Sequence, residues 1–232
     1  MKRLSKYIAE TGYCSRRRAD DLIAQGKVTV NGARVTEHPC LVSGDEKICV
    51  DGEELTPLHK AYYKFYKPPG YVCSHSDKHN TTIYDYLGDD YSYLRYIGRL
   101  DKESEGLLIL TNDGALVQHY SHPSFEVSRS YEVTLDRELS IPETARLCQG
   151  IVDEGETLLC DAVEILRDKK YLFHLHTGRK REIRRMVKSL GGTVLKLKRI
   201  RYGAVRLGDL REGEIIPLSP AEMDALSREE TS

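Results

Sequence analysis

The stretch Gly98-Arg99-Leu100-Asp101-Lys102-Glu103-Ser104-Glu105-Gly106-Leu107-Leu108-Ile109-Leu110-Thr111-Asn112-Asp113-Gly114 joins a charged loop to an apolar strand. Residues 107–110 form an unbroken apolar run, the pattern of a strand buried on both faces. Asn112-Asp113-Gly114 ends the run with turn chemistry. Ahead of it, Arg99, Asp101, Lys102, Glu103 and Glu105 crowd between Gly98 and Gly106. A charged loop fixed to a rigid strand is where sites are built, although many such loops are only solvated edges.

Such a strand needs neighbours, and the flanking sequence offers them. Upstream, residues 61–66 read as an aromatic strand, and Lys67-Pro68-Pro69-Gly70 must turn, because two prolines fix the backbone and donate no hydrogen bond. Downstream, residues 115–120 read as a short helix stopped by His122-Pro123, and residues 130–135 alternate like a strand. Residues 140–149 predict a helix with Pro142 in its first turn. Residues 158–165 and 170–176 predict two strands around Arg167-Asp168-Lys169.

The second informative stretch is Thr177-Gly178-Arg179-Lys180-Arg181-Glu182-Ile183-Arg184-Arg185-Met186. Ile183, Met186, Val187 and Leu190 keep i, i+3, i+4, i+7 spacing and make one apolar helix face. Arg181, Arg184, Arg185 and Lys188 repeat that spacing one position along. At roughly 100° per residue, Arg184 falls at the edge of the apolar face, half-buried, while Arg181, Arg185 and Lys188 stay wet. Gly191-Gly192 ends the helix, residues 193–202 form a strand bearing Lys196, Lys198, Arg199 and Arg201, and Ser219-Pro220-Ala221-Glu222 opens a last short helix with a capping box.

The first 55 residues read as a separate small unit. Leu4, Tyr7 and Ile8 keep helical spacing up to Gly12, and Ser15 caps a second helix that runs to Gln25 with Gly26 beyond it. Asn31-Gly32 between two short apolar runs is a hairpin signal, and residues 48–50 with Asp51-Gly52 suggest a further strand and turn. Residues 56–60, short and polar with one proline, form a linker. Arg16, Arg17 and Arg18 stand at the start of the second helix, where cations oppose the helix dipole, so a phosphate partner explains them better than solvation does.

Composition narrows the function. With 40% hydrophobic and 31% charged residues, the 232-residue chain is globular, and no apolar run is long enough to span a bilayer. Six scattered cysteines lack Cys-x-x-Cys spacing, which predicts a reducing cytoplasm without structural zinc or disulfides. His75 and His79 near Cys73 read as part of a polar loop, and no metal is expected there. The net charge of −1 conceals segregation: residues 1–34 carry eight Lys/Arg against three acids, and residues 179–206 carry eleven against Glu182 alone. Two basic blocks in a neutral protein point to a polyanion that touches two surfaces.

Gly98-Arg99-Leu100-Asp101, with Ser104, Gly106-Leu107-Leu108 and residues 110–114, resembles the signature loop of RNA pseudouridine synthases, more narrowly the RsuA family that acts on ribosomal RNA. Lys67-Pro68-Pro69-Gly70 is similar to that family's first motif, with Tyr66 where Asn is usual. The run from Arg181 to Arg185 is similar to its third, with Glu182 in the place of Gln. Residues 2–50 resemble the small RNA-binding module first named from ribosomal protein S-four. The resemblance implies an α+β chain: the small module at 1–55, a linker at 56–60, and a mostly antiparallel mixed-sheet catalytic domain at 61–232. It implies isomerisation of a uridine in ribosomal RNA to pseudouridine without cofactor or metal, by a cytoplasmic monomer acting on RNA or a ribosome assembly intermediate. Residues 71–74 and 82–87 look more like the small-subunit enzymes than the large-subunit ones.

By motif match Asp101 is the catalytic carboxylate, Arg184 the arginine that pairs with it and keeps it charged, and Tyr131 the aromatic of the catalytic pocket. The phosphate contacts expected are Arg16, Arg17, Arg18, Lys67, Arg99, Arg181, Arg185 and Lys188. A non-catalytic RNA-binding or ribosome-assembly factor on the same fold fits the basic blocks equally well, but has no need of an acid such as Asp101 amid phosphates. A nuclease would need clustered carboxylates for metals or a histidine pair, and the eight histidines show no such pairing.

Overall fold

The computed structural model describes residues 1–121 and 126–229, so the expected helix stop at His122-Pro123 lies outside the described residues. The chain divides into two compact units, one of Met1–Ala61 with Asn112–Gly114, the other of Tyr62–Thr111 and the chain from Ala115 onward.

The first unit contains β1 (Lys2–Arg3), α1 (Leu4–Glu10), α2 (Arg16–Ala24), β2 (Val28–Val30), β3 (Ala33–Val35), β4 (Leu41–Val42), β5 (Ile48–Val50) and β6 (Glu53–Glu54). Strands run β3-β2-β5-β6 in one antiparallel sheet, and β1 pairs with β4. Asn31 and Gly32 both have positive φ, 51° and 82°, as a two-residue hairpin turn requires. Leu4, Tyr7 and Ile8 of α1 and Leu22 and Ile23 of α2 close over Val28, Ile48 and Val50. Each such side chain contributes about 2 kcal/mol by leaving water. The Ser15 hydroxyl accepts a hydrogen bond from the Arg18 amide at 3.3 Å and so caps α2.

The second unit contains β7 (Tyr62–Lys67), α3 (Ile83–Leu87), β8 (Arg95–Ile97), β9 (Glu105–Thr111), α4 (Gly114–Ser121), β10 (Arg129–Leu135), α5 (Ile141–Gln149), β11 (Ile151–Asp153) and β12 (Glu156–Leu158). It continues with β13 (Ala162–Arg167), β14 (Lys170–Leu175), α6 (Glu182–Ser189), β15 (Val194–Tyr202), β16 (Val205–Arg206), β17 (Ile215–Pro217) and α7 (Pro220–Glu229). One sheet runs β13-β14-β10-β15-β9-β7-β17, with β16 on β15 and β8 on β9. Its pairs are antiparallel except β9 with β15, so the sheet is mixed and mostly antiparallel. All seven residues of β9 are buried. One core packs Val133, Leu135, Phe173 and Leu197 of the sheet against Leu147 of α5 and Ile183, Met186 and Val187 of α6. Another packs Leu107, Ile109 and Tyr202 against Leu116 and Tyr120 of α4 and Leu226 of α7.

The expected strand over residues 158–165 is broken. Glu154 and Gly155 take positive φ and fold β12 back on β11, so pairing stops at Leu158 and resumes only at Ala162. Between them the Cys160 amide donates to the Leu147 carbonyl at 2.9 Å and its thiol is buried. This unanticipated hairpin matters for the site.

Candidate active site

Two glycines place the loop ahead of β9. Gly98 sits at φ +64°, and a Cβ there would lie 2.6 Å from the Tyr202 ring. Gly106 sits at φ +101°, and a Cβ there would lie 2.3 Å from the Arg199 carbonyl oxygen, because β9 and β15 pair at that residue. Both positions exclude a side chain sterically as well as by backbone conformation.

The loop between them is held by main-chain contacts. The Ser104 amide donates to the Asp101 carbonyl at 3.0 Å, and the Gly70 amide donates to the Lys102 carbonyl at 2.7 Å. The Leu100 amide donates to Cys73 Sγ at 3.4 Å. Thus the Pro68-Pro69-Gly70 turn and the residues after it brace the loop from one side. Tyr66, which replaces the usual Asn, donates its hydroxyl to Glu105 Oε1 at 2.9 Å, tying β7 to the start of β9.

Lys67 was expected at phosphate and is instead fully buried. Its ammonium donates to the carbonyls of Ser104 at 2.8 Å and Pro68 at 2.9 Å. It ends β7 with its side chain turned under the loop, where backbone oxygens take the place of water. Burial pushes the Lys67 amine down to about 8, against the electrostatic influence of neighbouring Cys73 and Asp101, which favours its protonated form. Lys67 supports the loop and does not reach solvent.

A cleft of about 440 Å³ opens beside the loop, the size of a small-molecule or nucleotide site. Asp101, partly exposed, lines it together with Tyr131 and with Arg99, Arg129, Arg181 and Arg199. Tyr131 lies on β10 between Phe173 of β14 and Arg199 of β15, half-buried on the α6 core. Arg99 is exposed and its guanidinium has no hydrogen-bond or ion-pair partner among the described residues. Arg181 stands before α6 in the left-handed region, φ +52°, and forms an ion pair with Glu103 of the Asp101 loop at 3.0 Å. That contact helps hold the Glu103 carboxyl below its ordinary range, after its own backbone hydrogen bond. Glu182, in the Gln place, is buried and accepts from Thr177 Oγ1 at 2.7 Å and the Arg179 amide at 3.0 Å, fixing the turn into α6.

Arg184 is half-buried, as the helix periodicity predicts, but it is not ion-paired with Asp101 within 4.0 Å. Its guanidinium donates to the Val194 carbonyl at 3.1 Å and to Ser104 Oγ at 3.5 Å, and its Nε is buried without a partner. It therefore touches the Asp101 loop three residues along. Burial and the charge of Arg181 lower its basicity, while Glu103 and Asp101 raise it through space. Arg185, expected to be wet, is a partly buried tie: it pairs with Asp153 and with Glu156 at 2.6 Å, and its side chain is 18% exposed. The β11–β12 hairpin supplies both acids, and they push the Arg185 guanidinium upward in basicity. Lys188 is exposed at the other end of α6 and does not line the cleft.

Arg129 and Arg199 also line the cleft, and the sequence marks neither as a site residue. Arg129 donates to the carbonyls of Val127 at 2.9 Å, His176 at 2.8 Å and Thr177 at 3.1 Å, joining β10 to the turn before α6. Arg199 is 1% exposed. The usable signal was strand alternation: Arg129 lies two residues before Tyr131, and Arg199 two after the buried Leu197. In the first unit, Arg16, Arg17 and Arg18 are all exposed, and none forms an ion pair among the described residues.

Comparison with known proteins agrees with this architecture. Residues 61–189 match the family model for RNA pseudouridylate synthase, and residues 2–38 match that for the S4 domain. The ribosomal large subunit pseudouridine synthase B of Bacillus subtilis is 36% identical, over 97% of this chain and 96% of its own length. The ribosomal small subunit pseudouridine synthase A of Pasteurella multocida is 34% identical, over 97% of this chain and 100% of its own. A crystal structure of a pseudouridylate synthase, 32% identical, matches with a TM-score of 0.70 over 97% of this chain and 100% of that one. The chain belongs to the RNA pseudouridylate synthases, in the RsuA-type branch of isomerases that carry an N-terminal S4 domain.

Proposed function

We propose that this chain converts a uridine of ribosomal RNA to pseudouridine with Asp101 as the catalytic carboxylate. The observation that carries the reading is the cleft itself. A partly exposed carboxylate on a braced loop shares the cleft with a half-buried tyrosine and several arginines. A polyanion enters such a cleft readily, and a base drawn from its stack can pack on Tyr131. Asp101 then acts at the sugar, as nucleophile or as base. The C1′–N1 bond breaks, the uracil turns, and a C1′–C5 bond forms. C5 gives up a proton and N1 gains one, so the reaction balances within the nucleotide.

Arg99 and Arg181 meet phosphate at the cleft, and Arg16, Arg17 and Arg18 meet it on the module at residues 1–55, joined through 56–60 to the catalytic residues 61–232. Residues 71–74 and 82–87 favour small-subunit RNA as the target. The 36% identity to the Bacillus subtilis enzyme, named for the large subunit, favours the other. Incubation of the purified protein with each ribosomal RNA separately, followed by site-resolved pseudouridine mapping, decides between them. New pseudouridine in one RNA is expected, absent with Asp101→Asn. No modification of either RNA would leave only an RNA binder.

A further inference from the structure

We propose that Arg199 is a positioning residue for the reaction, a clasp that fixes both ends of the Asp101 loop. The proposal rests on Asp101 being the catalytic group. Arg199 sits in the one parallel pair of the sheet, with Gly106 of β9 on one side and Tyr131 of β10 on the other. Its backbone is thus in register with the end of the loop and with the pocket aromatic at once. Its guanidinium reaches back along the loop. Nε donates to the Leu107 carbonyl at 2.8 Å, Nη1 approaches the Arg99 carbonyl at 3.4 Å, and Nη2 the Gly98 carbonyl at 3.5 Å. Those acceptors lie before and after Asp101 in the chain.

Three further observations make this a built device. The guanidinium lies 4.9 Å from the Tyr202 ring centroid, and that ring is what Gly98 approaches too closely to bear a Cβ. Gly106 approaches the Arg199 backbone as closely. No carboxylate lies within 4.0 Å of the guanidinium among the described residues, so carbonyls and an aromatic face alone compensate a charge that is 1% exposed. A planar fork with several fixed donors does this where an ammonium cannot. Burying an unpaired cation is unfavourable, and its position on the cleft wall gives the placement a use. Arg184 touches the same loop only at Ser104.

The test is single-turnover pseudouridine formation on ribosomal RNA transcribed in vitro, with RNA affinity measured in parallel. The proteins are wild type, Asp101→Asn, Arg199→Lys and Arg199→Ala. Arg199→Lys keeps the charge and loses the fork. It is expected to bind RNA within about threefold of wild type and to turn over about 100-fold more slowly, the size of a misplacement near 1 Å. Arg199→Ala is expected to regain at least about 10-fold in rate with millimolar methylguanidinium, a response Asp101→Asn does not share. A rate for Arg199→Lys within threefold of wild type overturns the proposal. So do a fall in affinity that matches the fall in rate, an absence of rescue, and loss of cooperative unfolding in both Arg199 variants. If Asp101→Asn itself turns over normally, the reading of the reaction fails. If Asp101→Asn is inactive and Arg199→Lys is not, only the clasp fails.

Discussion

The arginines of the first unit and the cations around the Asp101 loop have opposite environments. Arg16, Arg17 and Arg18 are exposed, and no carboxylate in the described chain holds them. Lys67 and Arg199 are fully buried on backbone carbonyls, and Arg185 is tied to two acids. A cation that keeps its water can exchange it for phosphate at little expense. A cation that has already lost its water to carbonyls holds backbone, and moving it would orphan those oxygens. A count of basic residues treats both kinds alike. Only burial and partners separate the groups that meet RNA from the groups that shape the site.

The sharpest way to break that comparison is at the loop's closest approach. Gly106→Ala forces a Cβ to 2.3 Å from the Arg199 carbonyl in a backbone region that L residues avoid. We expect a loss of about 4 kcal/mol in urea unfolding, the range of severe strain and overpacking. A loss under about 1 kcal/mol would mean that the β9–β15 contact yields, and that the loop is not rigidly held.

Lys67 comes next. Its folded-state value of about 8 lies below the ordinary 10.5, so the folded chain binds fewer protons between those values. The penalty is carried in full below about 8 and is relieved as pH rises toward 10.5. The shift amounts to roughly 3 kcal/mol. Lys67→Met should therefore remove a rise in stability that wild type shows across this window. Parallel stability curves for the two proteins from pH 7 to 10 would place Lys67 in solvent and erase the distinction.

Arg184→Met is expected to slow turnover about 10-fold, or about 1.4 kcal/mol, the scale of a through-space charge with no direct contact to Asp101. A fall of about a thousandfold would instead mean that the pair closes once RNA is bound, since catalytic contacts often tighten in the complex. The smallest effect on chemistry belongs to the triple change of Arg16, Arg17 and Arg18 to Ser. The slope of log affinity against log salt should fall by about 2 to 3, and turnover at saturating RNA should hold. An unchanged slope would sink their assignment to phosphate.

The residues that could be read from sequence are those whose environment is local. The 107–110 run announced β9 because a strand buried on both faces needs no alternation. The apolar face of α6 placed Arg184 at its edge, and Ser219 with Glu222 announced α7. Strands of two or three residues, such as β1, β8 and β16, carry no pattern of their own and exist because a partner strand lies beside them. Lys67, Arg185 and Arg199 are the opposite case, because their environment is not local. Apart from the Pro68 carbonyl beside Lys67, their partners lie 29 to 101 positions away, so nothing local marks them as structural ties.

The most direct measurement is site-resolved pseudouridine mapping of ribosomal RNA from cells that lack this protein, complemented with wild type or with Asp101→Asn. The account predicts that pseudouridine disappears from a defined uridine, returns with wild type, and does not return with Asp101→Asn. A map that is unchanged by the deletion, or restored by Asp101→Asn, would contradict it.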